Sequence, residues 1–205
     1  MSCHSDNDPH ESFQNTRCFQ RYIKFSRLSQ IAFYVPGACG IIFGMCLKGG
    51  GRVQGIGAVP QQRIREKLDE YMSRRDYDGV TRHLNYWLEE ARAAGDLRGE
   101  LMIRNEFVGH CRKIADREGA LTHIGAALAL LDRLELDGTV IEGTTCVNAA
   151  TTLNAFGENE RALALFQRAR AAYGSGEVDP GLLGGLYNNM ALTCASLGQI
   201  GRAHV

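Results

Sequence analysis

From Gln61 to Asp179 the chain contains no proline, so nothing in that stretch removes a backbone donor or breaks a helix from within. The apolar residues then supply a period. Ile64, Leu68 and Tyr71 fall at steps of four and three, and Val80, Leu84, Trp87 and Leu88 repeat the pattern, which is the spacing of one buried face on an α-helix. Between the two runs, RRDYD is a short polar turn, too brief for anything except an antiparallel hairpin. The layout returns in LMIRNEFVGHCRKIADREGALTHIGAALALLDRL and again in TTCVNAATTLNAFGENERALALFQRARAAY, and a further first helix opens in LLGGLYNNMALTCASLGQ. The sequence predicts an all-α chain of three complete helix pairs and the first helix of a fourth.

Aligning the pairs on the small or compact residue that lets each second helix approach its first sets Val80, Ala120 and Ala162 in register, a repeat of about 40 residues. The turns FGENERA and ASLGQ carry glycine where the first helix ends, which suits a left-handed residue closing that helix. Gly157, Ala162, Phe166 and Ala169 meet a known pattern: a glycine turn, an early alanine, an aromatic four residues on and a further alanine. On these residues the stretch from Pro60 to Gln199 resembles the tetratricopeptide-repeat family. Val80 in place of alanine, a turn RRDYD without glycine, and a period longer than the usual length of about 34 residues are departures. The longer period, the loop GSGEVDPG and the phrase LYNNMA are similar to the kinesin light chain subgroup.

The resemblance implies a right-handed α-solenoid whose first helices line a concave groove. In this family asparagines there hydrogen-bond an extended peptide, because an amide offers both donor and acceptor. It implicates Asn148 and Asn189 as peptide-binding residues, with Asn105, Asn188, Arg65, Arg112 and Thr151 beside them. The same asparagines could instead bridge adjacent helices within the stack. Glu66 and Glu106 stand in register with Asn148, where like charge opposes capture of a free carboxylate of the kind chaperone-binding relatives perform. Each pair buries its apolar face only against its neighbours, so a last helix without its hairpin partner is expected to leave Leu186, Met190 and Leu197 poorly covered. Fraying or self-association through that C-terminal helix follows.

The two ends differ from this domain, 60–199. Residues 1–58 show no sustained period and finish in a glycine run, KGGGRVQGIGA; they are expected to be a poorly structured or non-native segment. The apolar stretch Ile31 to Leu47 follows Arg17, Arg21, Lys24 and Arg27, the layout of a signal peptide or short anchor. Alternatively the segment is translated upstream DNA and the start is Val59, encoded by GTG. The string IGRAHV, Ile200 to Val205, resembles a translated sequencing adapter (ATC GGA AGA GCA CAC GTC, followed by TGA), so 200–205 is expected to be an adapter-derived tail on a fragment cut near Gln199.

Chemistry is sparsely signalled. The formal charge is zero, from 23 basic and 23 acidic residues, so no global field recruits nucleic acid or a membrane. The seven cysteines form no CxxC pair, which points to a reducing, cytoplasmic setting. Cys111, Cys146 and Cys194 are expected to be small buried hydrophobes, Trp87 to fill the core, and His83, His110 and His123 to stand as isolated residues without metal spacing. The charge run EEARAAGDLRGE reads as solvated. No nucleophile, carboxylate pair or phosphate loop supports an enzyme, and no cofactor is implied. The expected function is a non-enzymatic scaffold that binds a protein or peptide partner; the alternative is a peptide-sensing regulatory receptor of which this is a fragment.

Overall fold

Helix boundaries in this chain are made by one short device, used repeatedly. In the computed structural model, residues 58–198 apart from 175 and 177 are described, and they fall within one compact unit. They form seven helices and no strands: α1 Gln61–Ser73, α2 Tyr77–Ala93, α3 Leu97–Lys113, α4 Arg117–Arg133, α5 Val140–Ala155, α6 Asn159–Tyr173 and α7 Pro180–Ser196. The carboxylates of Asp76, Asp96 and Asp116 each accept a hydrogen bond from the N–H of the glycine three residues on, at 2.8, 2.8 and 2.9 Å. This satisfies one of the orphan donors that open every helix. Immediately before each aspartate stands a left-handed residue, Arg75, Gly95 or Ala115, with φ of 58°, 67° and 59°. One residue therefore closes a helix and the next opens another, so that three residues reverse the chain.

The expected repeat is present as geometry. Left-handed residues close the first helix of each pair at Arg75, Ala115, Gly157 and Gly198, spaced 40, 42 and 41 residues apart. The turn RRDYD, which lacks glycine, gives this role to Arg75. The long period belongs to both helices of the second pair, each 17 residues long. Elsewhere it enters through longer connections at 134–139 and 174–179.

Successive helices pack side by side, and α5 also reaches α3, α4 and α7. Ile64, Leu84, Met102, Ile103, Leu131, Leu153, Phe166 and Leu186 are fully buried. The closest approach is between α5 and α6. Gly143 faces the Tyr173 ring so closely that a β-carbon would collide with it, and the Tyr173 hydroxyl lies 3.2 Å from Thr144 Oγ1. Glu142, at the start of α5, is buried yet fully engaged. It accepts from Arg168 Nε at 2.6 Å and from the Gly138 N–H at 2.7 Å, while its own N–H donates to the Thr139 hydroxyl.

Several expectations about individual residues change. Glu100, read within a solvated charge run, turns inward to Arg104 at 2.7 Å, and Arg104 is only 4 % exposed. Arg104 also lies 3.4 Å from His123 Nδ1, and burial followed by this guanidinium holds the imidazole down to about 4. His123 is thus a neutral acceptor stacked 4.1 Å from Phe107. Trp87 is half-buried at the edge of the core, edge-on to Tyr86 and His83. Leu186 and Met190 are buried rather than poorly covered, and Leu197 is half-buried; the exposed apolar residues of α7 are Tyr187 and Leu192. The reason is helical phase, since Leu186 and Met190 turn inward while Tyr187 and Leu192 turn outward. Cys111, Cys146 and Cys194 are buried and unbridged as expected, with burial pushing the first two thiols up to about 11 and about 12. The segment 1–57, with its apolar stretch 31–47, and the tail 200–205 lie outside the described residues. Among those residues no helix is long and apolar enough to cross a membrane.

Gly143→Ala should lower stability by about 1–3 kcal/mol, because the Tyr173 ring has no room to retreat. Gly125→Ala, in the middle of α4 with open space around it, should raise stability by about 0.5–1 kcal/mol. Urea unfolding of the two variants measures both signs.

Candidate functional site

The first helices α1, α3, α5 and α7 can be superposed residue by residue on their left-handed turns. Ten residues before the turn stand Arg65, Asn105, Val147 and Asn188; nine before it, Glu66, Glu106, Asn148 and Asn189; six before it, Asp69, Gly109, Thr151 and Leu192. These positions share one side of the helices at steps of three and four. The seven peptide-binding candidates fall on or next to this side, but they are not equally available.

Asn105 is 3 % exposed, and its amide nitrogen donates to the Leu101 carbonyl and to Thr145 Oγ1, both at 3.1 Å. It ties α3 to α5, and its Oδ1 is left buried without a partner. Asn148 is also buried. Asn189 is half-buried and donates to Thr151 Oγ1 at 3.3 Å, while the Thr151 hydroxyl donates to the Val147 carbonyl at 2.7 Å. That contact ties α5 to α7. Asn188 is exposed, Arg112 is half-buried, and Arg65, also half-buried, reaches Gln61 Oε1 at 3.4 Å. Bridging is therefore what Asn105 and Asn189 do within the chain.

The enclosure of the middle helices explains the difference. Every residue from Glu142 to Ala150 is buried, and nine consecutive residues sweep about two and a half helical turns, so α5 is covered on all sides there. Residues 101–105 and 107–111 of α3 are buried likewise. The shared side is accessible at its two ends, on Glu66 and Asp69 of α1 and on Thr151, Asn188, Asn189 and Leu192 of α5 and α7. Asn154, one turn beyond Thr151, is half-buried, but its Oδ1 is itself buried without a hydrogen-bond partner, so that oxygen is not part of the accessible face.

The opposite end is acidic. Glu66 is exposed and accepts from Gln62 Nε2 at 2.9 Å. Part of the Glu106 side chain stays accessible, but its carboxyl lies deep among protein atoms, and this burial pushes it up to about 7. Arg65 pulls it down, and Asp69 raises it further. Glu106 therefore carries only part of its charge near neutrality, and the repulsion expected against a carboxylate ligand falls mainly to Glu66. Among the described residues no group of three or more histidine, cysteine or acidic side chains is arranged to hold a metal ion. His83 and His110 are both held below the ordinary imidazole range by burial, and His110 Nε2 is hydrogen-bonded to Thr81 Oγ1 at 2.8 Å. The α5/α7 end of the shared side can offer neutral donors and acceptors beside one apolar side chain.

Glu106 generates a signed pH dependence. Its folded-state value exceeds the ordinary carboxylate value of 4.5, so between the two the folded state binds the extra proton and stability falls as pH rises through that window. Glu106→Gln should therefore raise stability at pH 8 by about 1–3 kcal/mol, the lower part of that range allowing for its partial exposure. It should leave stability at pH 4.5 nearly unchanged, and urea unfolding at the two pH values checks both. No family model, no curated protein and no solved structure matches the chain.

Proposed function

We propose that this chain is a non-enzymatic interaction module, a right-handed solenoid of the tetratricopeptide-repeat kind that holds an extended segment of another polypeptide against its first helices. The observation that carries this reading is the accessible face at the α5/α7 end. There Thr151, Asn188 and Asn189 share a side of α5 and α7 with Leu192, which is 56 % exposed. Amide side chains can donate to a peptide carbonyl and accept from a peptide N–H at once, while an apolar side chain beside them takes one residue of the segment. A neutral face of this kind selects by backbone hydrogen bonding and shape rather than by charge.

The turn geometry supports the solenoid, because equivalent left-handed residues recur at nearly constant spacing and each pair packs on the next. The three buried cysteines, none bridged, support a reducing compartment such as the cytoplasm. Binding in the buried middle of the stack would require α3 and α5 to be uncovered at Asn105 and Asn148. The proposed segment therefore rests first on α5 and α7.

Selection of a random peptide library on the immobilised protein tests the reading. Enriched peptides should bind Asn188→Ala about tenfold or more weakly, the scale of one or two lost amide hydrogen bonds, with helicity by circular dichroism unchanged. Asn188 is exposed, so its truncation perturbs binding rather than packing. Failure to enrich any peptide, or equal binding by the variant, would sink the proposal.

A further inference from the structure

Two Asp-Gly pairs occur in the sequence, Asp78–Gly79 and Asp137–Gly138. Such a pair can react with itself. The glycine nitrogen attacks Cγ of the aspartate, the N–H proton and the carboxyl OH leave as water, and a cyclic succinimide remains. Water then opens the ring at either carbonyl. Opening at Cγ restores aspartate, whereas opening at the main-chain carbonyl leaves the chain running through Cβ, as isoaspartate. Glycine permits the attack because no side chain shields its nitrogen.

The two pairs are held differently. Gly79 is buried in the first turn of α2, with its N–H on Asp76 Oδ1 at 2.8 Å. Asp137 and Gly138 lie between α4 and α5, outside any helix. The Asp137 side chain is 78 % exposed, and Gly138 is left-handed with φ of 69°. The Gly138 N–H donates to Glu142 Oε2 at 2.7 Å, and Glu142 is only 5 % exposed. Arg168 Nε donates to the other oxygen of Glu142 at 2.6 Å, and Arg168 Nη2 meets Asp137 Oδ1 at 3.5 Å. The nitrogen that would attack is therefore tied to a buried carboxylate.

We infer that Asp137–Gly138 is an isoaspartate-forming modification site, kept closed in the folded chain by Glu142. A succinimide nitrogen carries no proton, so ring closure strips Glu142 Oε2 of its donor and leaves that oxygen buried and unpaired. The pair reacts only when the connection opens locally. Isoaspartate adds one main-chain atom ahead of α5 and carries Gly138 away from Glu142. It also displaces Thr139, whose hydroxyl accepts the Glu142 N–H at 3.2 Å, so the modification loosens the junction of the second pair with the third. The modified chain is a substrate for a methyltransferase that esterifies isoaspartyl carboxylates. The site is separate from the proposed peptide face and does not depend on it.

The full chain and its Glu142→Gln and Glu118→Gln variants are aged at neutral pH, and isoaspartate at both pairs is measured by peptide mapping against synthetic isoaspartyl standards. Glutamine offers one acceptor oxygen to two donors, while Glu118 is exposed in the first turn of α4. Isoaspartate at 137 should rise about tenfold or more in Glu142→Gln, the scale of one hydrogen bond to a charged group. It should not rise in Glu118→Gln, and position 78 should stay unchanged in both. No rise at 137 in Glu142→Gln would overturn the inference, as would an equal rise at 78, which would report general unfolding. Asp137→Asn leaves Glu142 in place and closes the same ring with loss of ammonia. Its deamidation should run about tenfold or more faster in urea than in the folded chain, and equal rates would overturn the inference.

Discussion

A three-residue reversal governs this molecule. One residue in the left-handed region turns the chain out of a helix, and the carboxylate after it takes up an N–H of the next. Because the reversal is so short, consecutive helices have no choice but to lie alongside each other. Because Asp76, Asp96 and Asp116 recur at intervals of 20 residues, the helices between them, α2 and α3, share one length. Two of these reversals place a side chain other than glycine in the left-handed region, Arg75 and Ala115, at about 1 kcal/mol each. Packing on both sides of the turn must offset that strain.

Packing density rises toward α5, where small residues let neighbours approach. Gly143 admits the Tyr173 ring, and Ala149 and Ala150 are buried where α1 carries Lys67 and Leu68. Thr152 Oγ1, Asn154 Oδ1 and Asn105 Oδ1 are buried there without a hydrogen-bond partner. Arg104 and Glu100 pair within α3, both largely enclosed, so removing one partner would leave a buried charge, while Arg168 and Glu142 link α6 to α5 with the guanidinium partly in water.

The same economy shapes the accessible surfaces. Charge is concentrated on α1 and around Glu106, and neutral amides are concentrated on α5 and α7. Among the described residues the two outermost helices therefore differ chemically, α1 charged and α7 without a charged side chain. The asparagines serve the stack before they serve any ligand. Asn105 reaches Thr145 and Asn189 reaches Thr151 across successive first helices, so the side chains that look most like ligand contacts also hold the scaffold together.

Helix number, hairpin order and the repeat of about 40 residues were legible in the sequence, because apolar spacing and turn chemistry are local and each helix of 13 to 17 residues carries several turns of evidence. The aspartate caps were equally legible, as an Asp-x-x-Gly beat from Asp76 to Gly119, yet periodicity of apolar residues alone passes over them. Which side of a first helix meets which neighbour was not legible. Leu186, Met190 and Tyr187 are all apolar and lie within five residues, and a rotation of about 100° per residue separates a buried contact from an open one. Nor could sequence say that Glu100 turns inward, that Glu106 sits deep enough to lose part of its charge, or that Asn105 and Asn148 are enclosed. Those outcomes depend on what neighbouring helices bring from 20 to 40 residues away, and only the tertiary structure decides that.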